Sequence, residues 1–265
     1  KSICRTISSI CWRRLKPMRM TDSGVVAGGF VPDWTLPEGV SAFVSTRSGG
    51  VSLHPYDSNN LGAHVGDDTQ HVAENRRRLL SALSGLQHIQ WLDQVHGSDV
   101  AEASDDGISR TADAQYSSQP GLGCAVLTAD CLPVLFCASD GSKVAAAHAG
   151  WRGLAGGVLL NTLAEFESAD DVLVFLGPAI GPDAFEVGPE VREAFGWASD
   201  ACFRAGQGDR LQADLYRLAA EQLQAAGVKS ISGGGFCTFS DAERFYSYRR
   251  ASVTGRQVSL IWRSC

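Results

Sequence analysis

The chain has 265 residues, of which 44% are hydrophobic and 20% charged, so it has the apolar content for a sizeable core, and general disorder is excluded. The formal net charge of -6 argues against a nucleic-acid partner. Its apolar runs are shorter than the roughly 20 residues of a membrane-spanning helix, so a membrane partner is not expected either.

The first 23 residues differ in composition from the rest of the chain. Residues 1–19 contain six basic residues and no acidic one. We interpret residues 1–23 as a non-native or disordered basic leader, with an organellar transit peptide as the alternative. Residues 24–265 are expected to form a single catalytic domain, because no repeat, low-complexity tract or linker interrupts them.

The cysteines indicate a reducing compartment. Eight of them are scattered along the chain without a C-x-x-C pair, a spacing that suits neither a zinc finger nor a thioredoxin-type motif. A chain of this length can build its core without disulfides. We therefore expect reduced thiols and a cytoplasmic location.

The first predicted strand, residues 40–46, leads into a glycine-rich turn at residues 47–52. The backbone N–H groups of such a turn and the guanidinium of Arg47 suit an anion. A plain β-turn with a solvated arginine is the alternative. An irregular loop at residues 56–68 follows, and Asp68 or Thr69 then caps a helix predicted over residues 71–83.

The centre of the chain is predicted to be a β-hairpin. Apolar runs at residues 132–138 and 144–149 flank a turn at residues 139–142 that contains Asp-Gly, a strong hairpin signal. Cys131 enters the first run and His148 lies near the end of the second. Because a hairpin returns on itself, we expect the thiol and the imidazole to lie close together.

A second histidine, His96, ends another short apolar segment at residues 89–95. With Cys131 and His148 it could fill three corners of a tetrahedral metal site and leave the fourth open, as in catalytic zinc sites. Two other interpretations remain open on spacing alone. Cys131 and His148 could be the nucleophile and base of a Cys–His hydrolase, or all three residues could be ordinary core and hydrogen-bonded side chains.

The remaining predicted elements are mostly strands, which favours α+β with a mixed sheet. In chain order they are strands at residues 113–116 and 121–128, a helix from the glycine-rich turn 150–157 to about residue 165, a strand at 171–176, a helix at 189–195, a long helix marked by Leu211, Leu215, Leu218 and Leu223, and strands at 228–232 and 257–262.

Two strings, ADCLPVLF at residues 129–136 and AAHAGWRG at residues 146–153, resemble the YfiH family of PgeF-type peptidoglycan-editing factors. Members of that family are also described as laccase-like polyphenol oxidases and as purine nucleoside phosphorylases. Further similar strings are STRSGGVS (45–52), NLGAHVGD (60–67), WLDQVHG (91–97), GPAIGP (177–182) and FYSYRR (245–250).

The resemblance implies a four-layer α/β/β/α sandwich and a zinc ion held by His96, Cys131 and His148, with copper a less expected metal. It also implies phosphorolysis of adenosine, inosine, guanosine and methylthioadenosine, together with some adenosine deamination. The expected partners are then a purine nucleoside and phosphate. The sequence gives no indication of the oligomeric state.

Five further residues are candidates for this chemistry. Asp130 is a candidate proton shuttle, or else the carboxylate that orients a ligand histidine. Arg47, Arg152 and Arg250 are candidates for binding phosphate, and Asn60 for holding the ribose or the base.

Three alternative functions remain. A cytoplasmic peptidoglycan-editing hydrolase would act on a muropeptide precursor. A copper polyphenol oxidase is less favoured, because multicopper oxidation needs several histidine-rich sites and the chain has six histidines. A non-catalytic, metal-stabilised binding module is the third.

Overall fold

The computed structural model describes residues 25, 26 and 28–265, so the leader interpretation of residues 1–23 lies outside the described residues. The helices in the described ranges are α1 (Thr69–Ala82), α2 (Trp151–Ala155), α3 (Val158–Leu163), α4 (Pro189–Ala194) and α5 (Leu215–Ala225). The strands there are β1 (Val25–Val26), β2 (Gly29–Phe30), β3 (Val40–Ser45), β4 (His88–Gln90), β5 (Leu92–Asp93), β6 (Val100–Glu102), β7 (Arg110–Thr111), β8 (Ala114–Ser117), β9 (Leu122–Thr128), β10 (Leu132–Ala138), β11 (Val144–Ala149), β12 (Val172–Leu176), β13 (Glu186–Val187), β14 (Phe203–Ala205), β15 (Leu211–Ala213), β16 (Ser230–Gly233) and β17 (Gln257–Arg263).

Two six-stranded mixed sheets form the centre of the molecule. Sheet 1 has the order β1-β2-β3-β17-β9-β4, and sheet 2 has the order β16-β12-β10-β11-β8-β6. In sheet 1 only the β4–β9 pair is parallel, and in sheet 2 the parallel pairs are β12–β16 and β6–β8. Two small sheets, β13-β15-β14 and β5-β7, lie outside them.

The sheets and helices stack in four layers. Side chains that alternate along β10 pack on opposite faces of sheet 2. Leu132, Val134 and Phe136 pack in the cluster shared with α3 and α5, whereas Leu135 and Cys137 pack against sheet 1. The other face of sheet 1 packs on the apolar side of α1. This arrangement confirms the α+β class and the α/β/β/α sandwich with mixed sheets.

Helix α1 connects the loops that precede it to the core. The Asp68 carboxylate accepts a hydrogen bond from the backbone N–H of Gln70 at 2.7 Å and caps the helix, as expected. Buried Asn75 accepts from the backbone N–H of Val51 and donates to the Ser52 hydroxyl and the Asn60 carbonyl. The polar loop before α1 is therefore held by the helix.

The structure differs from the predicted elements in several places. The helix expected from the 150–157 turn to residue 165 is divided into α2 and α3 at Gly157, whose φ of 90° lies in the left-handed region. Leu211 belongs to β15 rather than to the long helix, because Asp214 caps α5 by accepting from the backbone N–H of Arg217. The three-stranded sheet β13-β15-β14 was not predicted.

In the described part of the chain, none of the helices has the length and apolar character needed to cross a lipid bilayer.

Candidate metal centre

Three separate elements bring His96, Cys131 and His148 together. His96 follows β5, Cys131 immediately precedes β10, and His148 lies in β11. The register of the β10–β11 hairpin pairs Pro133 with His148 and Leu132 with Ala149. The hairpin prediction is confirmed, and it places the sulfur of Cys131 beside the imidazole of His148.

The ligand atoms of these three residues all lie within 4.8 Å of one another. In a tetrahedral zinc site, nitrogen and sulfur ligands lie about 3.5 Å apart, so a small contraction brings the three onto one ion. His148 is buried, Cys131 is partly exposed and His96 is exposed. One thiolate and two imidazoles, open to solvent on one side, fit a metal ion with a free coordination position.

A buried carboxylate that the sequence reasoning missed connects both histidines. Oδ1 of Asp113 lies 2.8 Å from Nδ1 of His148 and accepts from the backbone N–H of His96 at 2.9 Å. Oδ2 accepts from the backbone N–H groups of Val95 at 3.1 Å and Gly97 at 2.6 Å. With Nδ1 of His148 donating to Asp113, its Nε2 lone pair is left for a metal.

The same hydrogen bonds hold the turn that carries His96. His96 has a φ of 61°, in the left-handed region that is uncommon for residues other than glycine. Burial raises the pKa of the Asp113 carboxyl, but the hydrogen bonds from His148, Gly97 and Val95 outweigh it, and the pKa lies below its usual value. Asp113 is therefore ionised at neutral pH.

Gly150 lets the backbone pass close to the ligands. A Cβ atom on Gly150 would lie 2.9 Å from Sγ of Cys131 and 3.1 Å from Cδ2 of His96. Its φ is -64°, which any residue can adopt, so it is the space beside the ligands that requires glycine here. Gly150 is also the N-cap of α2.

Without a metal ion the thiol and the imidazole polarise each other. Burial would raise the pKa of the Cys131 thiol, but His148 and His96 outweigh it and lower this pKa to about 6. Burial would lower the pKa of His148, whereas Cys131 and Asp113 raise it to about 9. The histidines therefore favour the thiolate of Cys131, which is the form that binds metals.

Asp130 lies next to Cys131 but does not contact a ligand histidine through a hydrogen bond. Its carboxylate accepts from the Thr238 hydroxyl and from the backbone N–H of Arg249, both at 2.6 Å. The carboxylate that orients His148 is Asp113, so the assignment of that task to Asp130 is wrong. The role of Asp130 as a proton shuttle stays a prediction.

Two of the arginines predicted to bind phosphate are held by the protein itself. Arg47 donates to the carbonyls of Asp57 and Ala242 and to the Asp57 carboxylate. Arg250 donates to the carbonyls of Thr238, Phe239 and Phe245. In this structure both guanidinium groups connect loops.

The other two predicted substrate residues have contrasting environments. Arg152 is exposed, and its guanidinium carbon lies 4.4 Å from the centre of the Trp151 ring. Asn60 is fully buried. Its amide donates to the Gly62 carbonyl and the Asp67 carboxylate, and its oxygen accepts from the backbone N–H groups of Gly62 and Arg256. All hydrogen-bonding positions of the Asn60 side chain are used.

Several known proteins are similar to this chain. A family profile described as multi-copper polyphenol oxidoreductase laccase matches residues 41–264. Purine nucleoside phosphorylase PA4543 of Pseudomonas aeruginosa is 56% identical over 236 residues, which cover 87% of this chain and 96% of the relative. Purine nucleoside phosphorylase YfiH of Escherichia coli K12 is 55% identical over 237 residues, covering 88% and 97%.

The chain belongs to the YfiH family. Solved structures agree with this assignment: NMB0706 of Neisseria meningitidis has a TM-score of 0.86 at 44% identity and covers 90% of this chain and all of its own. YlmD of Geobacillus stearothermophilus has a TM-score of 0.84 at 32% identity, with coverage of 91% and 98%. The resemblance read from the sequence motifs is confirmed, and the sandwich is the YfiH-family fold.

Proposed function

We propose that this chain is a zinc-dependent purine nucleoside phosphorylase that acts on adenosine, inosine, guanosine and methylthioadenosine and also deaminates adenosine, in the cytoplasm. The observation that carries the proposal is the convergence of His96, Cys131 and His148 around one point, with Asp113 fixing the His148 tautomer. Relatives that are 55–56% identical and named purine nucleoside phosphorylases support it.

Zinc is the metal we favour over copper, because a thiolate with two imidazoles and an open position is a common catalytic zinc set. Among the described residues, the His96–Cys131–His148 group is the one cluster of at least three His, Cys, Asp or Glu side chains close enough to share an ion. Multicopper oxidation needs several such clusters.

Phosphorolysis requires that a phosphate oxygen form a bond to C1′ of the nucleoside as the bond from C1′ to the purine nitrogen breaks. The purine leaves with the bonding electron pair and takes up a proton, and the sugar leaves as ribose 1-phosphate. A metal ion at the centre supplies Lewis-acid polarisation of the group that binds its open position.

In this scheme, residues of the chain orient the metal ligands and move a proton at the purine. Asp113 holds His148 and the 95–97 turn in place, so the ligand atoms need little rearrangement when substrate arrives. Asp130, held by Thr238 and Arg249, is the candidate for moving a proton at the purine. Deamination of adenosine, in which the oxygen of water replaces the C6 amino group and ammonia leaves, requires a proton shuttle in the same region.

The test is a product assay with adenosine and zinc-replete protein, with and without phosphate. We expect free adenine and ribose 1-phosphate only with phosphate. Inosine should form in both conditions, and its conversion to hypoxanthine should require phosphate. Cys131→Ala should remove both activities, while Cys265→Ala, which changes an exposed thiol, is the matched control. Zinc-replete wild type that releases no purine under phosphate would overturn the proposal.

One observation favours a second candidate, a Cys–His hydrolase that uses Cys131 as nucleophile and His148 as base. The pKa of Cys131 is lowered to about 6 by the adjacent histidines, as expected of a nucleophilic thiol paired with a base. Metal dependence separates the two candidates. A hydrolase that uses Cys131 directly gains activity when a chelator removes the metal, whereas the phosphorylase loses it.

A further inference from the structure

Two partly buried arginines flank the segment 60–64, which the proposed mechanism has not used. Nε of Arg76 donates to the Leu61 carbonyl at 2.9 Å, and the Arg76 guanidinium stacks on Trp91, with its carbon 3.9 Å from the ring centre. On the other side, the Arg256 carbonyl accepts from the backbone N–H of Leu61 at 3.1 Å. One short segment therefore contacts both the Arg76 guanidinium and the Arg256 backbone.

The Arg256 side chain is held closely against this segment. Its backbone N–H donates to Oδ1 of Asn60 at 2.9 Å, and a Cβ atom on Gly62 would lie 2.8 Å from Cγ of Arg256. Strand β17 begins at Gln257, which pairs with Thr128, so Arg256 lies beside the 129–131 segment that leads to the metal centre. Its guanidinium interacts electrostatically with Cys131 and Asp130.

Several donors of these two arginines have no protein partner in the described part of the chain. Arg76 uses only Nε, so both of its terminal nitrogens are available. Arg256 uses one terminal nitrogen, which donates to the carbonyls of Thr254 and Gly255, and leaves Nε and the other nitrogen available. This contrasts with Arg47 and Arg250, whose guanidinium groups are engaged by loop carbonyls.

Three basic side chains gather at this place. His64 lies near both arginines, and its pKa is lowered first by burial and then by Arg256 and Arg76. Among the described residues, neither arginine forms a salt bridge; Asp93 acts on His64, and Cys131 and Asp130 act on Arg256, through electrostatic attraction alone. Like charges gathered in a partly buried place are unfavourable unless an anion joins them.

We propose that Arg76, Arg256 and His64 form an oxyanion subsite beside the metal centre, which takes inorganic phosphate as the co-substrate of nucleoside cleavage. The proposal rests on the proposed function for the role of the anion, but not for its binding. Arginine forks suit a tetrahedral oxyanion because each presents parallel N–H donors. The subsite would place the phosphate within electrostatic range of the metal ligands.

The first test is kinetic and uses the variants Arg76→Gln and Arg256→Gln, with Arg78→Gln as control. Arg78 lies on the same helix as Arg76 but is exposed and pairs with Glu74. We expect the KM for phosphate to rise about 10-fold or more in each of the first two variants, from loss of charge-assisted hydrogen bonds. The KM for adenosine should change little, and Arg78→Gln should match the wild type.

The second test measures binding of inorganic phosphate alone, by calorimetry, in the zinc-loaded protein without nucleoside. Binding that is lost in both variants but kept in Arg78→Gln supports the subsite, even if no nucleoside is cleaved and the proposed function fails. Phosphate-dependent cleavage with an unchanged KM for phosphate in both variants overturns the subsite and leaves the proposed function standing. Wild type that shows neither phosphate binding nor phosphate dependence also overturns it.

Zinc content provides the check on folding, because the ligands come from three separate elements. If Arg256→Gln does not retain zinc, Arg256→Lys is used in its place, because lysine keeps the positive charge but lacks the parallel N–H donors of a guanidinium. Arg76→Gln tests the other side of the subsite independently. Retained zinc with wild-type phosphate binding in these variants contradicts the proposal.

Discussion

Each oxygen of the Asp113 carboxylate accepts two hydrogen bonds, one set from His96 and His148 and the other from Val95 and Gly97. An amide has a single acceptor oxygen, so asparagine would present N–H groups to two other donors. If the amide oxygen keeps accepting from the backbone N–H groups of Val95 and Gly97, the amide N–H group faces His148. His148 must then accept at Nδ1 and carry its proton on Nε2, where the metal would bind.

Asp113→Asn is therefore expected to weaken zinc binding about 10- to 100-fold, the range typical of residues that orient metal ligands. Competition with a chromogenic chelator measures the affinity, and the melting temperature of the zinc-free protein separates this effect from general unfolding. Asp183→Asn, at a side chain that is 90% exposed, is the matched control. Wild-type zinc affinity in Asp113→Asn would show that Asp113 does not position the ligands.

Among individual residues, the metal-ligand candidates were predicted from the sequence, whereas Asp113 and Arg256 were not. The three ligand candidates were identified from chemistry and from the resemblance, and the structure brings them together. Asp113 was missed because its partners lie far away along the chain, and its only local signal is an acidic residue between alanines. Arg256 was missed because nothing in its sequence context distinguishes it from the other arginines.

Among the secondary-structure elements, those determined by interactions between neighbouring residues were predicted from the sequence. The β10–β11 hairpin follows from its Asp140-Gly141 turn, where Gly141 has a φ of 75° and Asp140 accepts from the backbone N–H of Ser142. The division between α2 and α3 was missed, because a glycine pair can lie within a helix or end it. In the structure Gly157 has a φ of 90°, so the first helix ends before it and a second begins after it.

Gly150→Ala tests how tightly the start of α2 packs on the metal centre. Overpacking strains a site by about 1–3 kcal/mol, which corresponds to roughly 5- to 150-fold in zinc affinity. Gly196→Ala is the control, because its nearest atom to an added Cβ lies 3.8 Å away. The same chelator competition serves as the measurement, and equal affinities in the two variants would mean that the space beside Cys131 is not restrictive.

At the scale of the whole molecule, the sheet order depends on pairings between distant segments. β17, near the end of the chain, lies between β3 and β9 in sheet 1 and pairs antiparallel with both. The β-forming residues of this segment predicted a strand, but no local sequence pattern indicates which strands lie beside it in the sheet. The four-layer arrangement was expected only through the family resemblance.

Removing residues 257–265 should prevent the molecule from folding, because it separates β3 from β9 and opens the core that Leu260 and Trp262 fill. Circular dichroism and thermal melting are expected to show no cooperative transition. Removing only residues 264–265, beyond β17, should retain one. Cooperative melting of the longer truncation would show that sheet 1 does not need its central strand.

The most direct measurement is anomalous diffraction at the zinc absorption edge from crystals of protein purified without chelator. One peak per chain is predicted, about 2.0–2.3 Å from both Nε2 of His148 and Sγ of Cys131, and absent in crystals of Cys131→Ala. A wild-type crystal of zinc-replete protein without a peak at this position, or with its zinc bound elsewhere, would contradict the account.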